Sequence, residues 1–512
     1  MSLQNSSDTI PSTSNISLSN SSTNRLFEPH DPEPSPYTSQ PDGGPTAWLQ
    51  VLGSFILFFN TWGAMNTFGV FQTYYESGAL FTQSSSNIAW IGSIQTFCLQ
   101  AMGLVAGPVY DRGGFRVLVV IGSAGVVGGY VVLSFCKEFW HVVLAQGFLI
   151  GLAEGCLFTP MISILPTYFS KRVGLAMGIA SSGSSLGGVI SPIVMKSLMY
   201  KIGFAWTTRV LGFMAFSMLL VPVLVMKERV KPAVRKRRAI VDRSVFTDRP
   251  FIMFVVATMV GFVALTIALF YLSLFALAQK ITDEDLAFYV VPLYNAASIF
   301  GRIAPNFLSD KVGPLNVIAP CAIITGVLLF CLVPLRAGQV GGIVVLTILL
   351  GFFSGVFVAI PGTCFPRLTK DKSMLGTRVG MAFSVIGFGM LIGGPAAGRV
   401  LDPSTSTKGP LNFMGLWVFG GVAAIVSGCF GAYQNERTVQ MSVYQVYSLY
   451  QELQAIYKCG AKHASPNMDY CHNTAEVETP ESCHTQTLYI AHSQIDWQHR
   501  TLMNRSPNHK SS

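Results

Sequence analysis

"RVGLAMGIASSGSSLGGVISP" (residues 172–192) returns at 378–398 as "RVGMAFSVIGFGMLIGGPAAG". Arg-Val-Gly opens both stretches, and a Gly-Gly pair follows at the same spacing, 187–188 and 393–394. A shorter echo accompanies it. "GPVYDRGGFR" (107–116) and "NFLSDKVGPLN" (306–316) each give Asp, a basic residue, one variable residue and then Gly. Motifs recurring in matching places indicate an internally duplicated chain. The segments around them are apolar over lengths of about 20 residues, enough to cross a hydrocarbon core about 30 Å thick.

Composition agrees. Of 512 residues, 50% are hydrophobic and 12% charged, with a mean hydropathy of +0.47; a soluble chain carries about 25% charged residues. Hydropathy predicts twelve spans, near 47–70, 88–110, 114–136, 140–162, 173–195, 204–226, 251–278, 286–308, 314–335, 339–361, 378–399 and 411–433. The expected fold is an all-α polytopic membrane protein of twelve transmembrane helices in two pseudo-symmetric six-helix halves, 47–226 and 250–434. Residues 1–46 are Ser/Thr/Asn/Pro-rich without an apolar core segment, and read as a disordered tail rather than a signal peptide. Residues 435–512 read as a second disordered tail. This tail holds three Cys and six of the eight His, but their spacing matches no compact zinc site. Seven of ten Cys lie in or at the ends of spans without paired spacing, so no disulfide framework is expected.

Charge sets the orientation. The linker "KERVKPAVRKRRAIVDRSVFTDR" (227–249) holds nine Lys/Arg against three Asp/Glu. Arg112, Arg116, Lys171, Arg172, Lys311, Arg367, Lys370, Lys372 and Arg378 fall in connections on the same side. By the positive-inside rule this side is cytoplasmic, and an even span count puts both termini there. The formal charge of +9 is thereby explained without nucleic acid. The sequons at Asn5, Asn15, Asn20 and Asn504 then lie on cytoplasmic tails and are not expected to be glycosylated. The plasma membrane is the expected address, with a vacuolar or other internal membrane next.

Six plus six spans, with the Asp-Arg loop after helix 2 and its copy after helix 8, resemble the major facilitator superfamily. Within it, "PDGGPTAWLQVLGSF" (41–55) and "YFSKRVGLAMGIASSGSS" (168–185) resemble the two signatures of the monocarboxylate transporter family. "FGVFQTYY" (68–75) and "GFFSGVFV" (351–358) are similar to its fungal branch. The resemblance covers about 47–434. It implies that Asp111, with Arg112 and Arg116 beside it, and Asp310, with Lys311, are conformational latches. In each, the carboxylate would accept hydrogen bonds from the start of a neighbouring helix. The residues alone also fit ordinary positive-inside charges, and the same two readings apply to Lys171 and Arg172.

Two ionisable residues stand out inside spans, where such groups are costly and functional by default. Arg302 lies eight residues before Asp310, about 12 Å along a helix axis. Helical spacing puts Tyr294, Asn295, Ser298 and Arg302 on one face. A polar stripe ending in a guanidinium suits a cavity where a carboxylate is gripped by two bonds; a structural Arg tied to backbone carbonyls or to Glu154 is the other reading. The family resemblance implies the first, since its members carry a carboxylate-binding Arg at the matching place. Its animal members also carry an Asp one turn earlier and a Lys on helix 1, and here those positions are Ser298 and Asn66. Glu154 in "GLAEGCLFTP" is the candidate proton-coupling group, because burial and a nearby Arg tune a carboxylate; a structural hydrogen bond would equally explain it. Arg209 and Lys196 read as snorkelling cations. Trp62, Phe68, Phe71, Tyr74 and Tyr75 read as interfacial belt or bundle packing, with ligand contact as the alternative. The helix 5 glycines Gly174, Gly178, Gly183, Gly187 and Gly188 read as a close-packing stripe, and no Gly-Lys-Ser/Thr follows that would make them a phosphate loop.

The expected function is secondary active transport by alternating access, moving a small or medium organic anion, possibly proton-coupled. The alternatives are efflux of a secondary metabolite or toxin, import of a vitamin-like heterocycle such as riboflavin, and a non-transporting sensor. No cofactor, no metal and no catalytic constellation is expected, so the chain is not read as an enzyme. The expected partners are a small-molecule substrate and the lipid bilayer.

Overall fold

The computed structural model describes residues 40–229, 241–369, 371–401 and 411–434. Both tails, their sequons and Cys/His pairs, and the centre of the basic linker lie outside the described residues. Residues 1–432 form one compact unit. Of the second, 433–512, only the first two residues are described.

Twelve helical spans run through the described residues. The first, α1, is interrupted: Pro45–Phe58, a wide π turn at Phe59–Gly63, then Phe68–Glu76. Next come α2 (Ser85–Ala101 and Gly103–Asp111), α3 (Phe115–Leu133) and α4 (Phe139–Tyr168). Helices α5 (173–202) and α6 (204–225) form one continuous run bent at Gly203, whose φ of 75° breaks helical geometry. The remaining spans are α7 (Arg249–Ala278), α8 (Glu284–Val312), α9 (Pro314–Cys331), α10 (Val340–Leu368), α11 (Leu375–Leu401) and α12 (Phe413–Gln434). The count matches the sequence expectation. The boundaries differ chiefly at the ends of α1, which reaches Glu76, α4, which reaches Tyr168, α5, which runs a further two turns to residue 202, and α10, which reaches Leu368.

Helix ends follow local chemistry. At α8, Asp283 caps the start by accepting from the Leu286 N–H at 3.1 Å, and Glu284 and Asp285 occupy the first turn. Gly313, with φ of 93°, ends it. The "PDGGP" signature is a turn of this kind with a further role. Asp42 sits at φ of 50°, ahead of Gly44 at 89°, and its carboxylate accepts from the backbone N–H of Ser170 and, at 2.7 Å, Lys171. The signature pins the start of α1 to the α4–α5 connection.

Small residues let backbones meet, since helix association in lipid depends on packing. The glycine stripe of α5 divides its contacts. A Cβ at Gly183 would lie 2.0 Å from the Phe55 carbonyl oxygen of α1, and one at Gly178 would lie 2.6 Å from the Arg302 carbonyl oxygen of α8. Gly103 of α2 and Gly380 of α11 approach each other equally closely. These last two contacts, α5 with α8 and α2 with α11, join the first six helices to the last six.

Candidate functional site

The two Asp motifs sit at the ends of those crossings. Asp111, at the end of α2, accepts from the N–H groups of Gly376 (2.9 Å) and Thr377 (2.7 Å) and from the Thr377 hydroxyl (2.7 Å). Asp310, near the end of α8, accepts from the N–H groups of Gly174 (2.7 Å) and Leu175 (2.9 Å). In each case the carboxylate meets the second and third residues of a helix, where unpaired N–H groups and the helix dipole favour an anion. The two sites are therefore equivalent in geometry, and both join opposite halves. The neighbouring cations do something else. Lys311 is exposed and lies over the Phe307 ring at 4.9 Å, and Arg116 donates to the Met226 carbonyl. Arg112 is exposed and partnered. The sequence grouped these cations with the latches; the latch bonds described above come from backbone N–H groups and one hydroxyl.

The Arg-Val-Gly echo also needs correction. It aligns Arg172 with Arg378, yet α11 begins at Leu375 and α5 at Val173. Arg172 is the residue before its helix, whereas Arg378 lies inside the first turn of its own. Arg378 is buried, 5% exposed, and pairs through Nε with Asp242 (2.7 Å) and through a terminal nitrogen with Asp248 (3.1 Å). It also donates to Ser244 at 2.7 Å and stands over the Phe251 ring. The short 3₁₀ turn Arg243–Thr247 is thus strapped to α11. Burial alone would raise the Asp242 pKa, but the bonds from Ser244 and Arg378 outweigh it and hold this carboxyl below its usual range.

About two turns from the Asp310 latch, and deeper, begins the polar stripe of α8. Tyr294, Asn295, Ser298 and Arg302 are all buried, as the helical spacing predicts. Arg302 donates from Nε to Ser298 Oγ at 3.2 Å, from one terminal nitrogen to the Ser181 carbonyl at 2.8 Å, and from the same nitrogen to Ser184 Oγ. The last two belong to α5, in the other half. Asn66 of α1 donates to Asn295 Oδ1 at 3.2 Å, a second crossing between halves. Tyr294 and Ser354 of α10 share a hydrogen bond between hydroxyls. Asn66 and Ser298, where the resembled family's animal members carry a Lys and an Asp, are neutral groups that take part in this network. Among the described residues no carboxylate is in ion-pair contact with Arg302.

Glu154 lies elsewhere. It is fully buried on α4, and both its oxygens accept from Gln95 Nε2 of α2 at 3.2 Å. Its hydrogen-bond partner is this amide, and among the described residues it forms no ion pair with Arg302. At the opposite end of the bundle, Lys196 meets Asp285 at 3.4 Å and Arg209 donates to Ser134 at 3.1 Å, both with aromatic rings beneath them. Phe68, Phe71 and Tyr75 pack inside the bundle, with Tyr74 stacked on Phe204, and Tyr75 bonds Gln146 at 2.8 Å. Trp62 differs. It is packed against Phe158 of α4 and Phe262 of α7, across the interface between halves.

The sequence did not reveal the Arg378 strap or the Asp42 turn. Both depend on partners more than 100 residues away, which local spacing does not reveal.

Comparison with known proteins follows the same lines. The family model described as Major Facilitator Superfamily matches residues 51–336. The chain is 53% identical over 387 residues to the MFS-type transporter dbaD of Emericella nidulans, covering 76% of this chain and 85% of that one. It is 35% identical over 401 residues to the aspyridones efflux protein apdF of the same organism, covering 78% and 80%. Among solved structures, the transporter FucP in the outward conformation superposes with a TM-score of 0.56 at 16% identity, covering 75% of this chain and 98% of that chain. This last likeness bears on the fold alone.

Proposed function

Because the chain belongs to the Major Facilitator Superfamily, we propose that it exports a secondary metabolite bearing an acidic group, with Arg302 as the charge partner. That it is a multi-pass membrane transporter and not an enzyme rests on the family itself. The efflux alternative raised by the sequence is the one that a relative named for aspyridone efflux supports. Membership of the monocarboxylate-transporter-like branch is the finer reading, supported by the two signatures at 41–55 and 168–185. The proposed organisation keeps two halves, 47–226 and 250–434, with the basic linker and both termini in the cytoplasm of a plasma-membrane protein.

One observation carries the substrate charge. Arg302 is a buried cation whose contacts are a carbonyl and two hydroxyls. Neutral oxygens compensate a buried guanidinium less well than a carboxylate does, because the charge-assisted bidentate pair is the stronger. An acidic substrate group entering between α5 and α8 would displace Ser181 and Ser184 from Arg302. Those two bonds also hold the halves together. Substrate binding would then loosen the interface that must part for the site to change sides, which is how a ligand with differential affinity drives rocking. Asn295, Ser298, Tyr294 and Asn66 would orient the neutral part of the substrate. Glu154, tied to Gln95, is the proposed proton-responsive group.

The test is export from cells loaded with labelled aromatic and aliphatic acids, at two external pH values. Expressing cells should retain less of at least one acid than controls. Arg302→Ala should cut the rate at least tenfold, the scale of a lost charged hydrogen bond, with Arg302→Lys intermediate. Normal export by Arg302→Ala would overturn the grip. Loss of the pH response in Glu154→Gln, with transport retained, is the expected sign of coupling; an unchanged pH response removes Glu154 from that role.

A further inference from the structure

A cavity of about 210 Å³ opens at the face that carries the latches, separate from the Arg302 stripe. Its wall comes from both halves: Tyr110, Ser163 and Phe169 on one side, Thr363, Arg367 and Lys372 on the other. We infer that this cavity is a second site, for a small organic anion with an apolar or aromatic body, whose occupancy holds this face closed.

Three observations support it. First, two exposed cations, Arg367 and Lys372, stand on one wall. The Lys372 ammonium is fixed there by the carbonyls of Pro366 and Thr369. Of the acids lining the cavity, Asp111 is spent on the start of α11 and Glu228 is itself partnered. Second, Ser163 is fully buried, lines the cavity, and its hydroxyl has no partner among the described residues. Its neighbours differ: Thr363 bonds back to the Ile360 carbonyl and Thr167 to that of Ile164. Buried hydroxyls are normally paired, so this one, in a cavity wall, is available to a ligand. Third, beside the polar Gln40, Ser170 and Ser373 the wall carries Phe169, Val173 and Leu375, apolar contacts that suit a carbon body better than a bare inorganic ion.

The consequence follows from position. A ligand that touches both walls binds only while they are together, so its binding free energy adds to the closed state. The site would therefore respond to the concentration of the anion on this side without using Arg302.

The experiment uses full-length protein in nanodiscs of zwitterionic lipid, titrated with labelled 1-naphthoate. A spin-label pair across this face reports its opening. Saturable binding is expected, with the label distances shifting towards the closed population. Arg367→Gln with Lys372→Gln should weaken binding at least tenfold, and Ser163→Ala a few-fold. Both cations are exposed, so the double variant should fold; Lys196→Ala, at the opposite face, should leave naphthoate binding intact. Unchanged affinity in the double variant would overturn the site. So would displacement of 1-naphthoate by equal concentrations of inorganic phosphate. Binding that persists in a protein shown not to export would sink the proposed function and leave this site standing.

Discussion

At the scale of the residue, Arg378 shows how little a charge means before its partners are known. In the sequence it is one of several cations on the basic side, and the positive-inside rule accounts for it. In the structure it is a buried ion held by two carboxylates of the linker. Removing one partner of such a pair leaves the other charge poorly compensated. Asp242→Asn should therefore cost about 1.5–3 kcal/mol, the worth of a charge-assisted bond, read as lower thermal stability in detergent. The pH dependence has a definite sign. The folded Asp242 carboxyl titrates below its usual range, so its contribution is fully present above the unfolded value of about 3.9. It is lost as pH falls through the lower folded value. Wild type and Asp242→Asn should thus converge in stability in strong acid and differ at neutral pH; a constant gap across that range would refute the assignment. Arg302 is the converse case. Its depth and stripe were legible because helical spacing and the cost of an intramembrane charge suffice to single it out. Its contacts with Ser181 and Ser184 were not, because they come from another helix.

At the scale of the element, α5 is the informative helix. Its glycine stripe was readable as a packing surface, since small residues near every fourth position admit a neighbouring backbone. Which helix fills which part of the stripe was not readable: Gly183 and Gly187 face α1, while Gly174 and Gly178 face α8. The partition matters because the α8 contact must open during rocking and the α1 contact stays within one half. Gly178→Leu should wedge α5 from α8, with transport falling at least tenfold while the protein still reaches the membrane. Gly183→Leu should instead reduce folded protein, since its clash with Phe55 lies inside the half. If both variants fold and transport alike, the two surfaces have no separate roles. The repeat also misleads at this scale. It superposes Arg172 on Arg378, but α11 starts one turn earlier relative to the motif, so equal letters take different positions on their helices.

At the scale of the whole molecule, the two faces are closed unequally. On the latch face, two carboxylates receive five short hydrogen bonds from two helix starts. On the other, among the described residues, Lys196 meets Asp285, whose side chain is 87% exposed, and lies over the Phe288 ring; such exposed pairs contribute about 0–1 kcal/mol. The latch face should be the harder one to open. Label pairs across each face should show Asp111→Asn with Asp310→Asn shifting the latch face towards open, whereas Lys196→Ala changes neither distribution; the reverse pattern would show the asymmetry to be wrong. The sequence by itself determined the span count, the duplicated plan, the place of both latch acids and the depth of Arg302. These follow from hydropathy and spacing along one chain, while the latch role of the two acids came from the family resemblance. Only the tertiary structure decided that Asp111 meets α11, that Asp42 and Arg378 are structural clasps, that Glu154 answers to Gln95, and that a lined cavity sits at the latch face. Each of these joins residues from different helices, and local periodicity carries no information about which helices become neighbours.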